Sequence, residues 1–136
     1  MAEFKLVLNR KDGKSFQKVV KDKEAEFFLK KRMGQKVDGK DIGMEGYELL
    51  ISGGSDNCGF PMRKGIQERR KWINVTGSTI GFCGKDRNKN KQPGLRTKKT
   101  VCGELVDSKI VQINLRVLKE GKEKLGEEQK AEEAKK

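Results

Sequence analysis

The side chains with the clearest chemical capacity in this sequence are basic, and most of them lie in its central part. Residues 59–100 contain twelve Arg or Lys residues and two acidic residues, Glu68 and Asp86, which gives this stretch a net charge of +10. An Arg side chain forks onto phosphate oxygens and a Lys side chain acts as a point charge with three donors. The residues predicted to contact phosphates are Arg63, Lys64, Arg69, Arg70, Lys71, Lys85, Arg87, Lys89, Lys91, Arg96, Lys98 and Lys99.

The composition of the whole chain indicates the same chemistry. The chain of 136 residues has 32 Lys and Arg against 20 Asp and Glu, a formal net charge of +12, and 33% of its residues are hydrophobic. Residues 119–136 hold six Lys and six Glu, so the first 118 residues carry the whole excess. Such an excess repels itself unless a polyanion neutralises it, and nucleic acid is the commonest polyanion.

An anionic membrane is the other polyanion to consider, and the sequence argues against it. No apolar run approaches the roughly 20 residues that a membrane-spanning helix needs. Residues 1–5 begin directly with an alternating pattern and lack the architecture of a signal peptide. The sequence therefore predicts a cytoplasmic protein without a membrane partner.

Residues suited to catalysis or to metal binding are scarce. The sequence contains no His, and its three cysteines, Cys58, Cys83 and Cys102, form no Cys-x-x-Cys pair. In a reducing compartment these cysteines are expected to be free thiols that fill small gaps in the packing. No pairing of a nucleophile with a base is recognisable either, so the sequence predicts no enzyme activity, no metal, no cofactor and no small-molecule substrate.

Trp72 and a glycine-rich segment are two further candidates for contacts to nucleic acid. Trp72 follows three basic residues directly, and it either stacks on an unpaired base or packs in the core. Ile73 and Val75 are the better core pair of this segment, which favours exposure of Trp72. Gly53-Gly54-Ser55 offers backbone amides of the kind that cradle a phosphate, although a tight turn at the end of a strand explains these residues as well.

Alternating apolar and polar residues predict the strands that position these side chains. Residues 4–9 and 15–20 are expected to pair through a turn at Asp12-Gly13, because Gly accepts a positive φ there. Further strands are predicted at residues 47–52, 71–76, 97–102 and 111–117. Residues 84–94 have no apolar side chain, so on its own this loop is expected to be flexible.

One short helix is predicted after the second strand. Asp22 is suited to be its N-cap, and Ala25, Phe28, Leu29 and Arg32 recur at the spacing of one helical face. Gly34 is suited to end it. The pattern predicts an amphipathic helix that packs on the sheet.

These elements predict a mainly β fold. Short strands, one short helix and 16 glycines favour a small, largely antiparallel β-barrel with long basic loops and a charged C-terminal tail. Residues 1–118 are expected to form the barrel domain, with basic loops at 53–71 and 77–96. Residues 119–136 are expected to be a flexible or helical tail.

Four segments of the sequence resemble a known protein family. The segments are Gly46-Tyr47-Glu48 leading into Ile51-Ser52-Gly53-Gly54-Ser55-Asp56, then Gly59-Phe60-Pro61-Met62-Arg63, Gly94-Leu95-Arg96-Thr97-Lys98-Lys99-Thr100-Val101 and Ile110-Val111-Gln112-Ile113-Asn114. In this order they resemble the pattern of the archaeal and eukaryotic small-subunit ribosomal protein S-six-e. The resemblance implies a β-barrel bound to ribosomal RNA, with no catalytic residues. It is closest to the archaeal form, because this chain lacks the long basic C-terminal helix of eukaryotic members.

The function expected from charge and resemblance together is structural. The chain is predicted to be a constituent of the small ribosomal subunit that binds ribosomal RNA through its basic loops, beside neighbouring ribosomal proteins. The alternative is an RNA chaperone or a translation-factor-like RNA-binding module that exchanges on the ribosome. Both readings use the same cations and the same barrel.

Overall fold

The computed structural model describes residues 3–121, except for the side chains of Asp22 and Lys23. The chain is mainly β, as predicted. Within the described residues the strands are β1 (Glu3–Asn9), β2 (Ser15–Lys21), β3 (Lys36–Asp38), β4 (Glu48–Asp56), β5 (Arg70–Thr76), β6 (Ser78–Thr79), β7 (Phe82–Cys83), β8 (Arg96–Cys102) and β9 (Ile110–Lys119). The helix α1 spans Asp22–Phe28, and a 3₁₀ helix spans Gly39–Ile42.

A five-stranded sheet forms the body of the molecule, in the order β2-β1-β9-β4-β3. The pair of β1 and β9 is parallel, and the other three pairs are antiparallel. The register of β4 against β9 shifts at three places, each of which adds local twist. The sheet consequently curls into a half-barrel, so the expected barrel is present as an open, curled sheet rather than a closed one.

Alternation along the strands supplies the core. Phe4, Leu6 and Leu8 of β1 are at most 1% exposed, as the sequence predicted, and Ile113 and Leu115 of β9 are fully buried beside them. Burying a side chain of this size stabilises the fold by about 1.5–3 kcal/mol. Alternation along β9 would place Val111 on the same buried face as Ile113 and Leu115. Val111 is instead half-buried, because the register of β9 against β4 shifts near the start of β9.

The first hairpin forms as predicted. The last strand pair is Asn9 with Ser15, so residues 10–14 connect β1 to β2. Gly13 has φ +80°, and its amide donates to the carbonyl of Arg10 at 3.2 Å. The expected positive φ at Gly13 is therefore confirmed.

The helix α1 is shorter than predicted. Ala25 and Phe28 are fully buried as expected, but the helix ends at Phe28, and its N-cap position is Lys21 rather than Asp22. Lys30 has φ +64°, and its amide donates to the carbonyl of Val106 at 3.0 Å. The backbone after the helix pairs with residues 104–106, which ends the helix before Arg32 can join it.

A two-stranded sheet of β5 and β8 stands apart from the five-stranded sheet. Its register runs from Arg70 opposite Cys102 at one end to Thr76 opposite Arg96 at the other. Residues 77–95 connect the two strands and contain the small β6–β7 hairpin. We call β5, β8 and this connection the basic ribbon. At about 3.4 Å per residue, its paired strands span about 20 Å.

The first of the two expected basic loops begins later than predicted. Strand β4 continues through Gly53-Gly54-Ser55 to Asp56, so these residues are not an exit turn and the loop 53–71 loses its first part. Alternation hid this continuation, because two glycines interrupt the apolar pattern. Among the described residues, no helix has both the length and the apolar character to cross a membrane.

Candidate nucleic-acid interface

Asp56 ties the end of β4 to the basic ribbon. Its carboxylate is 3% exposed. Oδ1 accepts hydrogen bonds from the backbone amides of Cys58 (2.9 Å) and Phe60 (3.0 Å). Oδ2 accepts one from Nε of Arg70 (2.7 Å) and one from Sγ of Cys102 (3.2 Å). One carboxylate thus fixes the turn after β4, the start of β5 and the end of β8.

The segment after this turn extends the contact between sheet and ribbon. Pro61 forms an isolated bridge with Ser55 of β4, and Met62 forms another with Cys102 of β8. The amide of Met62 donates to the carbonyl of Gly54 (2.9 Å), and the amide of Cys102 donates to the carbonyl of Pro61 (2.8 Å). We call residues 54–63 the junction. Residues 54–56 and 59–63, from two of the segments that carry the family resemblance, lie in the junction. These segments therefore build the joint that orients the ribbon.

Gly54 allows the junction to close. A Cβ at this position would lie 2.3 Å from the carbonyl oxygen of Gln112 on β9 and 3.0 Å from Sδ of Met62. A Cβ at Gly53 would meet nothing within 4 Å. The close approach of two strands therefore accounts for the glycine at Gly54. The phosphate contact suggested for Gly53-Gly54-Ser55 stays a prediction, now for three half-buried strand residues.

The electrostatics of the junction keep Asp56 ionised. Burial alone would raise the pKa of Asp56, but hydrogen bonds from the Phe60 amide, the Cys102 thiol, Arg70 and the Cys58 amide outweigh it and hold the pKa below 3.8. The same ion pair raises the pKa of Arg70. Burial, together with the hydrogen bond to Asp56, raises the pKa of Cys102 to about 11. Cys102 is therefore a neutral donor rather than a nucleophile.

The three cysteines differ in their surroundings. Cys102 is buried, whereas Cys58 and Cys83 are exposed, so the expectation that all three fill gaps in the packing was wrong for two of them. Cys83 lies in the β6–β7 hairpin, and Cys58 lies in the turn bound by Asp56. Across the described part of the chain, no group of three or more potential ligands is placed to hold a metal ion.

The structure divides the predicted basic residues into two groups. Three of them face carboxylates of the chain itself. Arg70 pairs with Asp56, Nζ of Lys71 lies 2.8 Å from Oε1 of Glu68, and Nε of Arg69 lies 4.0 Å from Oδ2 of Asp107. Arg70 therefore has a structural role in the junction, which its place in a basic cluster had not suggested.

The other nine basic residues make no ion pair within residues 3–121. Eight of them are exposed and Arg63 is half-buried. Arg63 also has a shielded Nη1 that lacks a hydrogen-bond partner among the described residues. The nine are Arg63, Lys64, Lys85, Arg87, Lys89, Lys91, Arg96, Lys98 and Lys99. All lie on the ribbon or immediately after Met62, within a stretch, residues 59–100, that holds only two acidic residues, Glu68 and Asp86.

The loop that was expected to be flexible closes through its own backbone. Lys85 and Lys91 form an isolated bridge, and the amide of Asp86 donates to the carbonyl of Asn90 at 2.9 Å. The amide of Lys89 donates to the carbonyl of Asp86, and Lys89 has φ +64°. Four basic side chains are thereby arranged around a tight turn, all of them exposed.

Trp72 is on the surface, as the sequence favoured. Its exposed fraction is 75%, while Val75 in the same strand is 2% exposed. Two other aromatic rings of this region have cation partners. The guanidinium of Arg70 lies 5.1 Å from the centroid of the Phe60 ring, and Nζ of Lys99 lies 6.0 Å from that of Phe82.

Sequence reasoning missed the role of Asp56 and Cys102. In the sequence, Asp56 is recognisable only as part of a segment that resembles the family, and Cys102 only as a small residue that could fill a gap in the packing. The available signal was an acidic residue followed by many cations. However, the ion pair joins Asp56 to Arg70, fourteen residues away, and only the tertiary fold brings the two together.

Taken together, fold and site define a mainly β protein with a strongly basic ribbon, which a buried acidic junction joins to a half-barrel. The family model for ribosomal protein S6e matches residues 4–130. Similar proteins include three archaeal ones, each named small ribosomal subunit protein eS6. The one from Methanocaldococcus jannaschii is 42% identical over 71% of this chain and 70% of its own length. Those from Methanothermobacter thermautotrophicus and Methanosphaera stadtmanae are 36% and 33% identical, each over 91% of this chain and over 93% and 90% of their own lengths.

The chain belongs to the ribosomal protein S6e family. This confirms the resemblance found in the sequence, including its archaeal character. The names of the family and of these relatives designate ribosomal proteins, and none designates an enzyme.

Proposed function

We propose that this chain is a structural constituent of the small ribosomal subunit in the cytoplasm and that its basic ribbon binds ribosomal RNA. The observation that carries the proposal is the charge of residues 59–100, which hold nine cations without a carboxylate partner in residues 3–121 and only two acidic residues. The family and the names of the relatives support the subunit as the place of binding.

The ribbon suits contacts with phosphates for a physical reason. Exposed cations on a paired β-ribbon keep their spacing, so fewer degrees of freedom are lost when each one meets a phosphate. Phosphate contacts position a protein and release counterions, so binding weakens steeply as salt is raised. Specificity would come from the folded shape of the RNA and its 2′-hydroxyls.

The junction has a supporting part in this proposal. Asp56 uses a buried carboxylate to fix Arg70 and Cys102, which are the first and last paired positions of the ribbon. The half-barrel would then act as the anchor, and the ribbon as the arm that reaches the RNA. Neighbouring ribosomal proteins are proposed to contact the remaining surface of the half-barrel.

Sucrose-gradient fractionation of cells that contain the full chain tests the proposal. The chain should sediment with small subunits at low and moderate salt, and it should be released only at high salt. A chain found mainly in the free fraction at low and moderate salt would overturn the assignment. Release at moderate salt with rapid rebinding would instead favour an RNA-binding module that exchanges on the ribosome.

A further inference from the structure

We propose that one face of the basic ribbon binds an unpaired RNA nucleotide, with the base stacked on Trp72 and the flanking phosphates held by Lys98 and Arg96. This inference rests on the proposed RNA binding and specifies the form of RNA that the ribbon takes. Three observations carry it: the two unlike faces of the ribbon, the free ring of Trp72, and the charge around that ring.

The two faces of the ribbon differ in what covers them. Side chains alternate along a strand, so Trp72, Asn74 and Thr76 of β5 share one face. The opposite face carries Ile73 and Val75, of which Val75 is 2% exposed. It also carries Lys99, whose Nζ lies over the ring of Phe82 in the β6–β7 hairpin. The chain itself therefore covers the Val75 face and leaves the Trp72 face open.

The ring of Trp72 has no cation and no other aromatic ring against it among the described residues. Three rings, those of Phe27, Phe60 and Phe82, each have a Lys or Arg over them. Trp72 has neither a cation nor another ring in contact within residues 3–121, and it is 75% exposed. An indole that contributes so little to the core is free to offer its π-face to a base.

The register places one cation beside this ring and a second one further along the same face. Trp72 lies opposite Thr100, and Asn74 and Thr76 lie opposite Lys98 and Arg96. Lys98 is thus a diagonal neighbour of Trp72, about 7–8 Å away between the Cα atoms of the two residues. A lysine side chain covers that distance easily. The phosphate next to a stacked base would therefore lie within its reach.

The chemistry of the face favours a nucleotide over a protein segment. Beyond Arg70, its residues are Trp72, Asn74, Thr76, Arg96, Lys98 and Thr100, which include two cations and no carboxylate. A hydrophobic peptide would cover the indole and leave both cations without a partner. A nucleotide supplies a π-face for Trp72, a phosphate for Lys98, and a base edge that the amide of Asn74 can hydrogen-bond.

The face should also discriminate between forms of RNA. Bases within a duplex are already stacked on both sides, so an exposed indole gains nothing from them, whereas a splayed base in a loop has a free face. Single-stranded RNA is therefore the expected ligand of this face. Duplex RNA should contact only the cations.

Fluorescence of the full chain provides the first test, because Trp72 is its only tryptophan. The probes are a short single-stranded oligouridylate, an RNA duplex of the same length, and inorganic polyphosphate. The oligouridylate should quench the emission to saturation, and the other two should change it little at matched occupancy. Equal quenching by polyphosphate, or no quenching by bound oligouridylate, would overturn the inference.

Substitutions provide the second test. Trp72→Ala should weaken oligouridylate binding by about five-fold to about 150-fold, whereas Trp72→Phe should restore most of the affinity, because a phenyl ring still stacks. Val19→Ala, at an apolar β2 residue that is 51% exposed, is the matched control and should leave the affinity unchanged. Circular dichroism should give the same spectrum for all variants.

The outcomes separate this inference from the proposed function. If Trp72→Ala binds oligouridylate as tightly as the original chain, with the same dependence on salt, the inference fails and the RNA-binding proposal stands. If the original chain binds neither RNA nor polyphosphate at low salt, both fail. If the structure of an assembled subunit shows protein instead of RNA on the ring of Trp72, a neighbouring protein covers the face, and the inference fails.

Discussion

The carboxylate of Asp56 accepts a hydrogen bond from Nε of Arg70 at 2.7 Å, which joins the end of β4 to the start of β5. The two strands belong to different sheets, so this contact connects the half-barrel with the basic ribbon. It also removes one cation from the set proposed to bind RNA, because Arg70 is committed to a partner within the chain. The position of the proposed interface therefore depends on a buried carboxylate.

Replacing Asp56 with Asn should destabilise the fold strongly. The variant keeps the shape of the side chain but loses the charge opposite Arg70. It also replaces one accepting oxygen with an NH2 group, which cannot accept a hydrogen bond. We expect a loss of about 3 kcal/mol in the free energy of unfolding, measured with urea. Glu68→Gln removes the exposed partner of Lys71 and is the control, with an expected loss of less than about 1 kcal/mol. Equal losses for the two variants would contradict the role given to Asp56.

The same residue predicts how stability depends on pH in acid. The pKa of Asp56 is lower in the folded chain than its ordinary value of 3.8. Its stabilising effect is therefore complete above that ordinary value and is lost as pH falls through the lower pKa of the folded state. Urea unfolding between about pH 5 and about pH 2 should show this loss in the original chain.

Asp56→Asn isolates this effect from that of the other carboxylates. The difference in unfolding free energy between the original chain and the variant should shrink as the pH falls below about 4. A difference that stays constant across this range would show that the ionisation of Asp56 does not stabilise the junction.

The glycines of the junction predict an asymmetric pair of substitutions. Gly54→Ala brings a methyl group against the carbonyl of Gln112, so β4 must shift, and we expect a loss of about 1–3 kcal/mol. Gly53→Ala meets nothing within 4 Å and should change the unfolding free energy little. Thermal and urea unfolding of both variants measure the difference. Similar costs at the two positions would contradict the close approach of β4 and β9 at Gly54.

Much of the fold could be predicted, because local patterns specify it. The alternation in β1 and β9 identified their buried faces, and the strands predicted at 71–76 and 97–102 match β5 and β8 to within one residue. Other features depend on distant contacts. The helix ends at Phe28 because residues 30–33 pair with residues 104–106, and a helical periodicity cannot reveal that competition.

The candidate site was predictable in composition but not in detail. Charge alone could not distinguish Arg70, which faces Asp56, from Arg96, which faces no carboxylate within the described chain. The better core pair, Ile73 and Val75, favoured the surface for Trp72, but its 75% exposure depends on the tertiary structure. Which cations are free is a property of the tertiary structure, because their carboxylate partners come from other segments.

The most direct test of the central claim is the dependence on salt of binding to small-subunit ribosomal RNA. Replacing Arg96, Lys98 and Lys99 together with Gln removes three unpaired cations of the ribbon. The slope of log K against log salt should then become less negative by about 2–3, at about 0.7–0.9 per lost phosphate contact. The matched control replaces three exposed lysines outside the ribbon, Lys11, Lys14 and Lys36, with Gln and should keep the original slope. An unchanged slope for the ribbon variant, or the same change for both variants, would contradict RNA binding by the ribbon.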